Sequence, residues 1–167
     1  MNKQSSRSSL FLIELVLSIF FFIIAAAICL QLFVNTYFLS RETIEINQAV
    51  LWSQNLVEPF LGGMGDYSIV KELYSDKDCS LELSFSSDNH LLLCFDKNWN
   101  YVDSFAKSYY VVFSVNYKDE SFSYQDIYIA KSPKSVPSDA GYNDFTDLLC
   151  EKDYQIYQLS VKKFLNS

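Results

Sequence analysis

Histidine is almost missing from this chain of 167 residues, which has one, and glycine and proline are scarce, with four and three. A nucleophile-and-base pair has only His90 to draw on, and His90 opens an apolar run where a structural or surface role is expected. With no C-x-x-C spacing either, a zinc site is not expected. Gly62, Gly63, Gly65 and Gly141 form neither a phosphate-binding loop nor a dinucleotide fingerprint. The carboxylates Glu82, Asp88, Asp96, Asp103, Asp119, Asp126, Asp139, Asp144, Asp147 and Asp153 are scattered, without the paired spacing of acid/base chemistry or a calcium loop. They read as a solvated acidic surface. The sequence therefore predicts no catalytic residue, no cofactor and no metal, and hence not an enzyme.

Charge is missing from one long stretch. Lys3 and Arg7 are the only charged side chains before Glu14, and none follows until Arg41. Without those two, 11 basic side chains face 20 acidic ones, a balance of −9, which argues against nucleic acid as a partner. Cys29 lies in the apolar run, and Cys79, Cys94 and Cys150 lie beyond it. In an exported domain those three allow one disulfide in any of three pairings; three buried thiols are the alternative.

Leu15 to Ser40 gives 26 uncharged residues around LVLSIFFFIIAAAICL, and a helix of about 20 already crosses the hydrocarbon core. A single transmembrane helix is expected over about 15–40. Basic residues ahead of it, with Glu42 and Glu45 soon after Arg41, place the N-terminus in the cytoplasm and the rest outside. Ala25-Ala26-Ala27 gives a superficial likeness to a cleavable secretory signal, but the apolar run continues through Val34 and a carboxylate stands before it. Ile28 ahead of Cys29 does not suit lipoprotein processing.

An acidic side chain at a membrane-helix centre costs roughly 2.5–3.5 kcal/mol, and less near its end, so Glu14 either marks the membrane boundary or has a partner. Its context, Ser8-Ser9 followed by Leu10-Phe11-Leu12-Ile13-Glu14-Leu15, resembles the processing and methylation site of type IV pilins and pseudopilins. In that family a prepilin peptidase removes a short basic leader, the new first residue is methylated, and a glutamate stands fifth. The resemblance implies a leader of residues 1–9, cleavage between Ser9 and Leu10, and Glu14 as the fifth mature residue. Ser9 stands where the family usually has Gly, Leu10 where it often has Phe, and Gln31 where many major pilins have a helix-kinking proline. The last of these favours a minor pilin or pseudopilin. The likeness covers Lys3 to Val57. It implies that Glu14 pairs with the N-terminal ammonium of a neighbouring subunit and sets register in a filament; losing one partner of such a buried pair typically costs about 3–5 kcal/mol.

Helical spacing continues through Leu39, Thr43, Ile46, Val50, Ser53 and Val57, and Glu58-Pro59 predicts its end, so one long helix is expected over residues 10–58. Such a helix rises about 70 Å, more than a bilayer, so its outer half must dock on something. Residues 59–167 supply a β-rich domain. Ser80–Phe85, the turn Ser86–Asn89 and His90–Phe95 read as a hairpin, with Tyr101 and Val102 opening a further short strand. Ser108–Tyr117 puts Tyr109, Val111, Phe113, Val115 and Tyr117 on one face, where aromatics read as core before ligand platform. Lys118-Asp119-Glu120 turns into Phe122–Ala130, whose change of parity predicts a bulge near Gln125-Asp126. Ser132–Asp144 reads as a surface loop and Tyr154–Phe164 as the closing strand. Trp52 and Trp99 are candidate docking anchors. The fold class expected is α+β, a long helix packed on an antiparallel sheet in the manner of pilins.

By resemblance the function is that of a minor pilin or pseudopilin subunit in a type IV pilus, type II secretion or competence-type filament. Its partners would be membrane lipid, other such subunits, the prepilin peptidase, and an inner-membrane assembly platform with its ATPase. The alternative is a single-pass anchored extracytoplasmic binding domain that forms no filament.

Overall fold

The computed structural model describes residues 4–79, 89–133 and 142–165. The chain falls into two units, Met1–Ile44 and Glu45–Ser167. One helix, α1 (Gln4–Gly62), forms the described part of the first unit and opens the second. The second compact unit thus begins at Glu45, inside the helix.

In the second unit α2 (Tyr67–Tyr74) and a 3-10 turn (Ser75–Lys77) precede the sheet. Its strands are β1 (His90–Phe95), β2 (Tyr110–Lys118), β3 (Phe122–Lys131) and β4 (Gln155–Phe164), all antiparallel and in sequential order. Helix α3 (Tyr142–Leu149) lies between β3 and β4 in sequence. The α+β layout, a long helix with an antiparallel sheet, is the one expected. Ser80–Phe85 and most of its turn lie outside the described residues, and Tyr101 makes only an isolated bridge to Phe95.

Each face of the sheet has its own core. On one, Leu91, Leu93, Phe95, Tyr110, Val112, Ile127 and Ile129 pack with Ala49, Leu56 and Phe60 of α1 and Tyr67 and Val70 of α2. On the other, Leu92, Cys94, Val111, Phe113, Val115 and Ala130 meet Cys79 and the Phe145 and Leu149 of α3. Strand β2 is consequently buried on both faces from Tyr110 to Asn116. Of the expected face, Val111, Phe113 and Val115 are buried with α3 while Tyr117 is exposed, and the opposite face is buried as well, Tyr110 and Val112 packing with α1 and α2. The first residues of α3 fall at the end of the expected loop Ser132–Asp144.

The helix runs through Pro59 to Gly62 instead of stopping before it. Proline has no N–H, so the Asn55 carbonyl loses its helical donor. The Tyr74 hydroxyl of α2 donates to that carbonyl at 3.4 Å instead. Termination comes one turn later through paired reverse bonds, Gly65 N–H to Phe60 O at 2.9 Å and Met64 N–H to Leu61 O at 3.3 Å, with Met64 left-handed at φ 58°. Gly65 follows at φ 85°, where a Cβ would come within 3.0 Å of Ser123 Cβ.

The docked stripe of α1 keeps Val50, Ser53 and Val57 of the expected one and departs from it elsewhere. Ala49, Ser53, Leu56 and Phe60 are buried and Trp52, Val50 and Val57 half-buried, whereas Leu39, Thr43 and Ile46 are exposed. In β3 the predicted bulge at Gln125-Asp126 is absent: pairing with β4 stays regular from Phe122 to Ile129 and shifts only between Ile129 and Ala130. Ser123, Gln125, Ile127 and Ile129 all face inward, and the parity seemed to change because two of the four are polar.

Candidate assembly helix

Every side chain from Phe11 to Ile44 is exposed, including Phe22 at 74% and Phe33 at 75%. The helix backbone satisfies its own hydrogen bonds, and Thr36 and Thr43 turn their hydroxyls back onto the carbonyls of Leu32 and Leu39, both at 2.8 Å. What this surface presents is apolar, with Cys29 exposed in its middle. The helix is long and apolar enough to cross a membrane.

Glu14 is the one charged group among Phe11–Ser40 and makes no hydrogen bond or ion pair to another described residue. Helical spacing sets it beside Phe11, Leu17 and Ser18, none of which offers a cation. A carboxylate placed in an apolar medium is protonated, paired with a positive group, or held at the water boundary. Ser9 and Leu10 fall within the first turns of α1, and their side chains lie outside the described residues.

From Glu45 onward the same helix is fastened. Glu45 accepts the Tyr110 hydroxyl on Oε1 at 2.9 Å and faces Lys131 Nζ from Oε2 at 3.1 Å. Trp52 lies 4.6 Å from the Phe95 ring and 6.2 Å from Tyr74, so it is a docking anchor as expected. Trp99, left-handed at φ 62°, stacks on Tyr110 at 4.3 Å within the domain. Its turn is organised by Asp96, whose Oδ1 accepts the Asn98 and Asn100 amides and whose Oδ2 accepts the Asn100 side chain; these bonds hold its carboxyl below the usual range.

Polar groups inside the domain hold the helix exit to the sheet. Gln125, fully buried, donates from Nε2 to Ser114 Oγ at 3.0 Å and to Leu56 O at 3.5 Å. Ser123 donates to Gly65 O at 2.8 Å, and Asn116 Nδ2 reaches Ser123 Oγ at 3.1 Å. The Tyr67 hydroxyl donates to Ser114 O at 3.0 Å, and its burial raises its pKa. None of these was singled out from sequence as functional; the one available signal was a serine and a glutamine at the inward parity of an otherwise apolar strand.

His90 stacks on Phe113 at 5.9 Å and lies near Lys71 and Asp78, with burial and then Lys71 holding its pKa down. The structure carries all four cysteines as thiols: Cys79 and Cys94 are buried, and Cys29 and Cys150 exposed. Among the described residues no three His, Cys, Asp or Glu side chains group as a metal site. No protein-family profile, curated protein or solved structure matches this chain.

Proposed function

We propose that the chain is a pilin-like subunit, a minor pilin or pseudopilin, that is anchored by α1 in a membrane and acts by helix-to-helix assembly and not by catalysis. The supporting observation is Glu14, a single carboxylate without a described partner on the bare apolar part of α1. In this reading the N-terminus is cytoplasmic, residues beyond the span are extracytoplasmic, and a peptidase cuts between Ser9 and Leu10. Glu14 then meets the new N-terminal ammonium of a second subunit, and the charges cancel inside an apolar bundle. The exposed Ile44 and Leu51, seven residues apart on α1, give neighbouring helices an apolar surface beyond the membrane.

The second reading, an anchored binding domain without a filament, draws on an aromatic group at one end of the sheet. Tyr117 and Tyr124 stack at 4.8 Å, and Lys162 Nζ lies 3.5 Å over the Phe122 ring. Mass spectrometry of the mature N-terminus separates the two. A peptide starting at methylated Leu10 is expected, and intact Met1, or cleavage after Ala27, overturns the pilin reading. In the processed protein Glu14→Ala is expected to abolish co-purification with other subunits while leaving membrane insertion intact; undiminished co-assembly removes the role given to Glu14.

A further inference from the structure

Two of the four thiols converge on one place, the outer edge of β1. Among the described residues this edge pairs with no other strand of the sheet. Two short pieces of chain lie along it: Cys79 donates its amide to Leu92 O at 2.8 Å, and Val102 donates its amide to Cys94 O at 2.9 Å. Along a strand alternate side chains share a face, so Leu92 and Cys94 project together. Cys79 packs in the same buried cluster as both. Its sulfur lies 3.6 Å from the carbonyl of Val102, the residue whose amide is bonded to Cys94, and 3.9 Å from the Tyr101 hydroxyl. The Tyr101 hydroxyl feels both cysteines: burial and then Cys79 raise its pKa most, and Cys94 adds to the effect. Cys150 is exposed at the end of α3.

We propose that Cys79 and Cys94 are joined as a disulfide in the exported protein, leaving Cys150 and Cys29 as thiols. The pairing rests on the extracytoplasmic placement proposed above, because a structural disulfide persists on the oxidising side of a membrane. The two thiols lose two protons and two electrons and gain one S–S bond, while an external disulfide of the thiol-exchange class is reduced to two thiols. A thiol buried as these are is a poor nucleophile and shielded from attack, so the bond forms while the domain is folding and becomes resistant to reduction once Tyr101 and Val102 cover it. Its effect is to fasten the chain that follows α2 to the β1 edge. That covers an edge which would otherwise be a template for strand addition.

The test is made on the full-length protein in its own membrane. Cells are lysed directly into denaturant containing an alkylating agent, so that buried thiols are trapped as well, and the unreduced digest is read by mass spectrometry. A linked peptide pair joining Cys79 to Cys94 is expected, with Cys150 alkylated, and Cys150→Ser leaves the pair unchanged. Alkylation of both Cys79 and Cys94, or a bridge to Cys150, overturns the assignment. Protease added outside the cells distinguishes the causes: an accessible domain with alkylated thiols sinks the disulfide alone, whereas a protected domain sinks the placement outside and the disulfide with it.

Discussion

The two halves of α1 are built alike in backbone and differ in almost everything else. Residues 11–44 expose every side chain, apolar ones included, whereas residues 45–62 bury Ala49, Leu56 and Phe60 against a sheet and pin Glu45 to Tyr110 and Lys131. A soluble helix of the first kind would leave a large contiguous apolar surface in water, which monomeric proteins avoid. The second kind gains its stability from packing one face, as most helices in proteins do. One half is packed against its own domain; the other is exposed along its length and apolar enough to cross a membrane.

The sharpest way to break this comparison is to truncate one phenylalanine in each half. Phe60, fully buried, is expected to cost the domain about 3–5 kcal/mol as Phe60→Ala, through lost transfer energy and the cavity left behind. Phe22, 74% exposed, is expected to leave the domain's unfolding unchanged within about 0.5 kcal/mol as Phe22→Ala. Denaturant titration of the full chain in detergent, followed by near-ultraviolet dichroism of the domain's tryptophans, reads both. Equal losses would mean that the two halves are not energetically separate.

The apolar half was legible in the sequence because 26 residues without charge admit few interpretations, and Glu14 stood out for the same reason. The docked half was harder. Its stripe reads from the sequence as continuing from Leu39 and Ile46, but both are exposed, and the sheet packs Ala49 and Phe60 instead. Strands β1 to β4 emerged from local alternation, while α3 did not, since eight residues of mixed character following two prolines carry little periodic signal. Pro59 was taken as a stop because the sequence cannot show that Tyr74, 15 positions later, supplies the missing donor. Gln125 misled for a related reason: its inward parity makes sense only beside Ser114 and the Leu56 carbonyl. Local chemistry was readable, and compensation from distant residues was not.

A smaller effect tests how the docked half ends. Met64 holds a left-handed conformation at the helix cap, where a side chain usually costs roughly 1–2 kcal/mol and glycine is preferred. Its side chain is 76% exposed, so little packing offsets that strain. Met64→Gly is expected to stabilise the domain by about 0.5–1 kcal/mol, the gain being reduced by glycine's greater freedom in the unfolded chain. A loss of stability in the same titration would show that the methionine side chain holds a contact worth more than its strain.

The gentlest probe is pH, read on the domain side of the comparison. Asp66, Asp96 and Asp119 accept hydrogen bonds in tight turns and caps, chiefly from Ser68, Asn100 and Ser121, and these hold each carboxyl below its ordinary value of 3.8. A carboxyl whose folded pKa lies below its unfolded one adds stability that is fully present above the unfolded value and lost as pH falls through the folded one. These three groups are therefore expected to leave the thermal midpoint flat between pH 7 and about pH 5, and to lower it progressively below about pH 4. All three lie on solvent-exposed turns, so water screens each contribution and the limb should be shallow. Asparagine keeps one oxygen acceptor and cannot titrate, so the combined Asp66→Asn, Asp96→Asn and Asp119→Asn variant should flatten that limb. An acid limb of unchanged depth in the triple variant would show that these three turn carboxylates do not set it.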